Sequence, residues 1–398
     1  MSAVSAATPC ERQGIGLANV VGFVLGFRLC LTYLFFQSSP ATGTSVTVAA
    51  SMALLLMAVG SCLVESPTEE PRLRSSSTMT CIVLYLALAV VSLSWTTTHS
   101  ILAAVAYWFE LAADVLTVAL MVWRGPAHEQ ASAIMKGYVV AALALAVIAW
   151  STPAMYDLRL GNEDFLHPNA MGYEFAIAAL FAVYLSRKSR MWMWWAAVLG
   201  VTLLRTLSKA SIMAFLAAAV LYVVKDSKLS RRSKKGIGLA AAVVLASSWG
   251  LLENYLDLYN QGSQAETLTG RTMIWAEAYE SALEKPWLGH GFYSFRWVVP
   301  LFGDFEAWQA HNELLQQFFT YGAIGVATMV ALYLAVYRDL RMARGAPQQI
   351  LASALLLFAL VRGLVDTERF DLTYPLWLMA MMSIWLARTP RAFRIPNE

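Results

Sequence analysis

Charge is what this 398-residue chain has least of: 14% of its residues are Asp, Glu, Lys or Arg, where a soluble globular chain carries about 25%. With 58% hydrophobic residues and a positive mean hydropathy, the shortage excludes an ordinary soluble domain and predicts an all-α polytopic membrane protein. Cysteine is scarce as well. Cys10, Cys30, Cys62 and Cys81 fall in the N-terminal fifth with no CxxC or Cys/His spacing among them, which supports neither a zinc site nor a disulfide framework. No HExxH, GxSxG, Walker or DxD pattern is present, which argues against metal-dependent and nucleotide-sugar chemistry. There is no internal repeat and no low-complexity tract. The basic residues are spread over short loops, so the net charge of +3 points to no nucleic-acid partner.

What is present is a series of apolar stretches, each near the roughly 20 residues that a bilayer span needs. Twelve can be read: 15–36, 43–64, 79–96, 101–123, 133–152, 170–186, 191–206, 208–224, 237–252, 311–337, 348–365 and 372–388. The seventh and eighth lie so close that they could form one broken element. The first is too long for a signal-peptide core and has no A-x-A site after it, so it is expected to be retained. Three regions follow: 1–252 with spans one to nine, 253–310 as a large outer loop, and 311–398 with spans ten to twelve and a tail.

The loop charges alternate in sign. With the N-terminus inside, Arg72 and Arg74, Arg124, Arg187 to Arg190, Lys225 to Lys235, Arg338 to Arg344 and Arg388 to Arg394 collect on one side, as the positive-inside rule requires. Both termini are then cytoplasmic. The opposite side is acidic, and its long loop holds apolar, aromatic pieces around Trp275 and Phe292–Trp297 that read as a short amphipathic helix and interfacial aromatics lying against the membrane. Arg159, Arg205, Lys209, Arg271, Lys285, Arg296, Arg362 and Arg369 break the rule by standing on the acidic side, and cations held there usually bind something anionic.

His311 opens the tenth span. The positive end of a helix dipole favours neutral imidazole, which can accept a proton; a polar interface cap is the plainer alternative. Arg271 opens an outer helix, and Arg205 and Lys209 stand one helical turn apart between spans seven and eight. A guanidinium grips phosphate oxygens bidentately and an ammonium acts as a point charge, so together they could hold a diphosphate without a metal; snorkelling or pairing with outer carboxylates would also account for them. Asn169 could hydrogen-bond a sugar or cap span six. Glu110 and Asp114 read as structural partners for Arg28, and His290 as a loop residue.

His311-Asn312, nine residues, Gly322, two residues, Gly325 resembles the signature of bacterial O-antigen ligases. Thr269-Gly270-Arg271 with Ile274-Trp275 resembles a Gly-Arg-x-x-x-Trp element of the same family. Asn169 and Leu207-Ser208-Lys209-Ala210 resemble two more, the last carrying Lys209 where arginine is usual, so either Lys209 substitutes or Arg205 takes over. The motifs lie within about residues 165–325 and are shared with O-antigen polymerases and some protein O-oligosaccharyltransferases. The resemblance implies a GT-C-like glycosyltransferase of the bacterial inner membrane. It would use an undecaprenyl-diphosphate-linked glycan as donor and a lipid A-core or other glycan as acceptor, on the periplasmic side, with inversion and with neither metal nor cofactor. His311 would be the general base, Arg271 with Arg205 or Lys209 the diphosphate ligands, and Asn312 and Asn169 contacts to glycan.

A polymerase, with a lipid-linked glycan as acceptor, is the nearest alternative; the single very long outer loop before His311 tilts the reading to ligase. A transporter or flippase would suit the intramembrane Arg28, Glu110 and Asp114, but no two-half repeat is found, and the cations crowd one membrane face. A non-catalytic scaffold would leave His311 and those cations unexplained.

Overall fold

Hydrocarbon offers the backbone no hydrogen-bond partner, so an apolar run must satisfy its N–H and C=O groups within itself, as a helix does. In a computed structural model of the chain, residues 9–36, 40–64, 76–153, 155, 158–161, 166–226, 230–232, 234–236, 238–239, 268–302, 306–343 and 346–388 are described. Among them the elements are α1 (Pro9–Phe36), α2 (Pro40–Val64), α3 (Ser77–Ser92), α4 (Ile101–Arg124), α5 (Ala127–Ser151), α6 (Pro168–Leu185), α7 (Met191–Arg205), α8 (Lys209–Lys225), α9 (Leu268–Glu284), α10 (Phe295–Val298), α11 (Glu313–Met342), α12 (Pro347–Gly363) and α13 (Leu376–Ala387). Stretches in α1, α2, α4, α5 and α11 are long and apolar enough to cross a membrane. The apolar helices α3, α7, α12 and α13 are shorter; the 15 residues of α7 rise about 22 Å at about 1.5 Å each, less than a hydrocarbon core of about 30 Å. Apart from residues 238 and 239, the expected ninth span, 237–252, lies outside the described residues, as does 253–267.

α6 is buried on every side, from Met171 through Phe175, Ala178 and Phe181 to Leu185, as befits a helix enclosed by others. α1 runs along α5, and small residues let the backbones meet: a Cβ on Gly22 would lie 1.9 Å from the Ile134 carbonyl oxygen. Without a hydrophobic drive between helices inside lipid, such close packing and buried polar contacts carry association. The expected pairing of Arg28 is present. Its guanidinium donates to Asp114 at 2.5 Å and Ser51 at 2.8 Å, with Glu110 at 3.6 Å, tying α1, α2 and α4. At the far end Asp339 accepts from Ser76, Thr78 and Ser383, tying α11 to the start of α3 and to α13.

The long loop is tied to the bundle. Its helix α9 buries one face on protein while Met273, Tyr279 and Leu283 stay exposed on the other, and in the 292–297 segment Phe292 and Phe295 are buried. Ile274, Ala278, Ala282, Phe295 and Phe319 form a core of their own, and Phe292 is 2% exposed. The reason is a break in α11. Gly322 has φ +65° and ψ −157° inside that helix, a conformation essentially confined to glycine, and a Cβ there would lie 2.3 Å from the Trp287 carbonyl carbon. The opened turn lets the loop pair with the helix: Phe319 and Thr320 accept from the N–H groups of His290 and Gly291, and Pro286 accepts from Ala323. His290 is thereby buried, stacked on Phe319 with its Nε2 2.8 Å from the Ser281 carbonyl.

Candidate functional site: an imidazole–carboxylate pair beside a group of cations

His311 precedes the N-cap of α11. Asn312 Oδ1 accepts from the Leu315 N–H at 2.9 Å, while its amide donates to the Leu364 carbonyl at 2.9 Å. Asn312, expected to contact glycan, is thus engaged at both side-chain ends in fixing the helix start to the 364–375 segment. His311 itself has φ +50°, a left-handed conformation that costs a non-glycine residue about 1–3 kcal/mol and tends to persist at functional positions. Its Nδ1 lies 3.0 Å from Asp366 Oδ1. An ionised carboxylate only accepts, so the neutral ring carries its proton on Nδ1 and keeps the Nε2 lone pair.

Asp366 is held from several sides. Arg362 reaches its other oxygen at 3.2 Å, the two side chains being 2% and 1% exposed, and Thr367 N–H donates at 3.0 Å. Arg362 also binds Glu368 at 2.8 Å and lies 4.4 Å from the centre of the Tyr173 ring on α6. Burial alone would push the Asp366 carboxyl up; the Arg362 guanidinium, then the hydrogen bond from His311 and the field of Arg271, outweigh it and hold the carboxyl well below the usual range. The segment is fastened again by Glu313, whose carboxylate accepts from the Thr373 N–H and the Tyr333 hydroxyl.

Arg271 sits in the first turn of α9, which packs on α11, and its Nη1 donates to the Val365 carbonyl at 2.5 Å, one residue from Asp366. Lys209 opens α8 and lies close enough to Arg159 and Arg271 to feel the charge of both. Arg205 goes elsewhere: its guanidinium donates to the Leu158 carbonyl. The turn formed by Thr206, Leu207 (φ +53°) and Ser208 separates α7 from α8, so Arg205 and Lys209 are not stacked on one helix as their spacing suggests. Asn169 accepts from Arg159 Nη2 at 2.8 Å, and the cap of α6 is His167, whose Nδ1 accepts from the Asn169 N–H. The structure therefore brings His311, Asn312 and Arg271 together, with Lys209, Arg159 and Asn169 nearby, and ties the Arg205 guanidinium to the Leu158 carbonyl.

Sequence reasoning missed Asp366 and the role of Arg362. The available signal was Arg362 itself, a guanidinium at the end of an apolar stretch and four residues before a carboxylate. The arrangement provides an imidazole whose Nδ1 faces a buried carboxylate, with guanidinium and ammonium groups nearby. It can take a proton from a hydroxyl while neighbouring cations attract an anionic group.

A multi-pass helical membrane protein with an imidazole–carboxylate pair among cations at one end of its bundle is the class that fold and site define. Residues 194–330 match a family model described as O-antigen ligase. A curated O-antigen ligase of Pseudomonas aeruginosa is 31% identical over 205 residues, which is 50% of this chain and 48% of that protein; the chain spans about half the length of the relative it matches. Both matches support the O-antigen ligase family for this chain. The matched segment contains Arg205, Lys209, Arg271, His311, Asn312, Gly322 and Gly325, while Asp366 and Arg362 lie beyond it.

Proposed function

We propose that this protein is an inverting, metal-independent membrane glycosyltransferase that moves a glycan from undecaprenyl diphosphate to a hydroxyl of a lipid A-core sugar. Arg271 and Lys209, with Arg159 adjacent, bind the diphosphate and stabilise the charge that grows on it as it leaves. His311 Nε2 removes the acceptor hydroxyl proton as that oxygen attacks the anomeric carbon from the opposite face. Diphosphate is a good leaving group, so no general acid is required. The surrounding architecture is a GT-C-like bundle of about twelve spans in the bacterial inner membrane, divided at 1–252, 253–310 and 311–398, with both termini cytoplasmic and the His311 end in the periplasm. Asn169 stands next to Arg159 at the edge of the site and is available to a sugar on rearrangement.

The observation that carries this reading is the 3.0 Å contact from His311 Nδ1 to the enclosed Asp366, because it gives the imidazole the tautomer a general base needs. The test is the surface-glycan profile of a host strain lacking the gene. Bare lipid A-core with long polymer accumulating on the lipid carrier is expected. Core bearing a single repeat unit would instead mean a polymerase, and an unchanged profile would overturn the assignment.

A further inference from the structure

Arg338 and Arg341 are exposed near the end of α11, and exposed guanidinium groups stay at the hydrocarbon edge or beyond it. A hydrocarbon core of about 30 Å takes about 20 helical residues, so counting back from Tyr337 sets the opposite edge near Phe318. α9 runs beside α11 in the same direction: Trp275 Nε1 donates to the Ala310 carbonyl, Tyr279 faces Phe318, and the Ala323 N–H reaches the Pro286 carbonyl. The turn after α9 is therefore level with 319–324, just inside the hydrocarbon edge. α3 gives the same height independently. It begins where Ser76 and Thr78 bind Asp339, and its 16 residues rise about 24 Å. At its top the Ser92 hydroxyl accepts from the Phe292 N–H and the Thr97 N–H donates to the His290 carbonyl.

Non-helical backbone survives at such a depth only where protein satisfies it, and this turn meets that condition. The N–H groups of Gly289, His290 and Gly291 donate to Lys285, Phe319 and Thr320, and the carbonyls of Pro286 and Trp287 accept from Ala323 and Ile324. The Leu288 carbonyl accepts from Trp95 Nε1. The side chains do the opposite. Trp287 is 73% exposed, Leu283 51% and Leu288 46%, beside Ile324, itself exposed on the spanning helix α11. Glu277, Glu280 and Glu284 follow one another at i, i+3 and i+7, a flank of α9 distinct from that of Tyr279 and Leu283, and Lys285 is exposed next to them. Backbone bonded to protein, bare apolar side chains, a tryptophan and a lysine at one height are the composition of a membrane–water boundary.

We propose that residues 283–288 form a re-entrant wedge seated at the acyl–headgroup boundary of the leaflet on the His311 side. Leu283, Trp287 and Leu288 lie against lipid chains there, and Lys285 reaches back to the phosphates. The lipid contact holds whether or not the chain is a transferase. Its consequence for the reaction rests on that reading: with α9 anchored at one end, Arg271 at the other is held by the headgroup layer, where a lipid-borne diphosphate lies.

The full chain in vesicles of phosphatidylethanolamine and phosphatidylglycerol, doped with a phospholipid bearing a diazirine on its acyl chain, tests this without any variant. After irradiation, adducts located by peptide fragmentation are expected on 283–288 and on Ile324, and not on the buried Phe292 and Phe295. Depth is read separately from nitroxide labels on Trp287→Cys, Leu288→Cys, Ile324→Cys and Met273→Cys, in a chain whose native Cys10, Cys30, Cys62 and Cys81 are replaced by alanine. The logarithm of the ratio of collisions with oxygen to collisions with a water-soluble nickel chelate should be positive at 287, 288 and 324. It should be negative at 273, which is exposed on the same helix but level with His311. Negative values at 287 and 288, or no adduct on 283–288 while Ile324 is labelled, would overturn the proposal. Labels shielded from both reagents would mean that protein, a second copy included, covers the turn, and would overturn it as well. Neither readout uses transfer, so a transfer-competent His311→Ala strain would sink the transferase reading and leave the wedge standing.

Discussion

Replacing Asp366 by asparagine keeps the side-chain shape and changes two things at once. Arg362, 2% exposed, loses the carboxylate at 3.2 Å and keeps only Glu368 at 2.8 Å. Stripping one partner from a buried ion pair typically costs about 3–5 kcal/mol; with Glu368 still in place, the lower end, about 3 kcal/mol, is expected for Asp366→Asn. The second change is chemical. An asparagine amide placed 3 Å from Nδ1 can donate to it, moving the ring proton to Nε2 and removing the lone pair that takes the hydroxyl proton. In hydrolase triads the corresponding exchange lowers turnover by about 10⁴, so a fall of about 10²–10⁴-fold in transfer rate is expected here, with donor binding little altered because Arg271 and Lys209 remain. The assay is transfer from lipid-linked glycan to acceptor by purified protein in micelles, with KM and turnover taken separately and melting followed in parallel. Turnover within about threefold of the parent, at unchanged melting temperature, would refute both the ion-pair argument and the tautomer argument.

The acid dependence of that same carboxyl gives a second prediction. Its pKa is depressed in the folded protein, so the stability it contributes is complete above the ordinary value of about 4 and is lost as the pH falls below it; the difference in melting temperature between the parent and Asp366→Asn should be constant from neutrality to about pH 5 and shrink below about pH 4. Lys209→Ala should raise the KM for the lipid-linked donor by about tenfold or more, the value of a charge-assisted contact, whereas Arg205→Ala, whose guanidinium serves a loop carbonyl, should mainly lower the melting temperature; the reverse pattern in a kinetic comparison would reassign the phosphate contact. Arg271→Ala should lose more transfer than Arg271→Lys, and equal losses would argue against a phosphate contact there. Gly322→Ala forces a side chain into a glycine-only conformation 2.3 Å from the Trp287 backbone and should destabilise by at least about 1–3 kcal/mol, visible as a lower melting point and as protease sensitivity around residues 286–291.

Much of the helical plan was legible because hydrocarbon imposes it: an apolar run long enough to cross has one way to satisfy its backbone, and α1, α2, α4, α5 and α11 follow the expected stretches, α1 and α5 starting six residues earlier and α11 ending five later. His311, Arg271 and Lys209 stood out as candidates because a cation or imidazole beside an apolar run is out of place electrostatically. Asp366 was hidden by the same rule, since an acidic residue on that face looks like an ordinary topology marker, and 55 positions of sequence separate it from the imidazole it orients. The spacing of Arg205 and Lys209 says nothing of the turn between them, where Leu207 takes φ +53° and α7 gives way to α8. Gly322 lies inside an unbroken apolar stretch, so the opened turn that captures the 286–291 segment leaves no mark in hydropathy. The aromatic residues of the long loop resemble an interfacial belt in composition; only the tertiary pairing with α11 reveals Phe292 and Phe295 as core, while Tyr279 and Trp287 remain exposed.

The central claim is that His311 takes the proton from the acceptor. Its most direct test is a strain lacking the gene, complemented with His311→Ala at matched membrane levels, scored for glycan joined to lipid A-core. Insertion and melting like the parent with no joined glycan are expected; normal amounts of joined glycan at equal expression would contradict that role for His311.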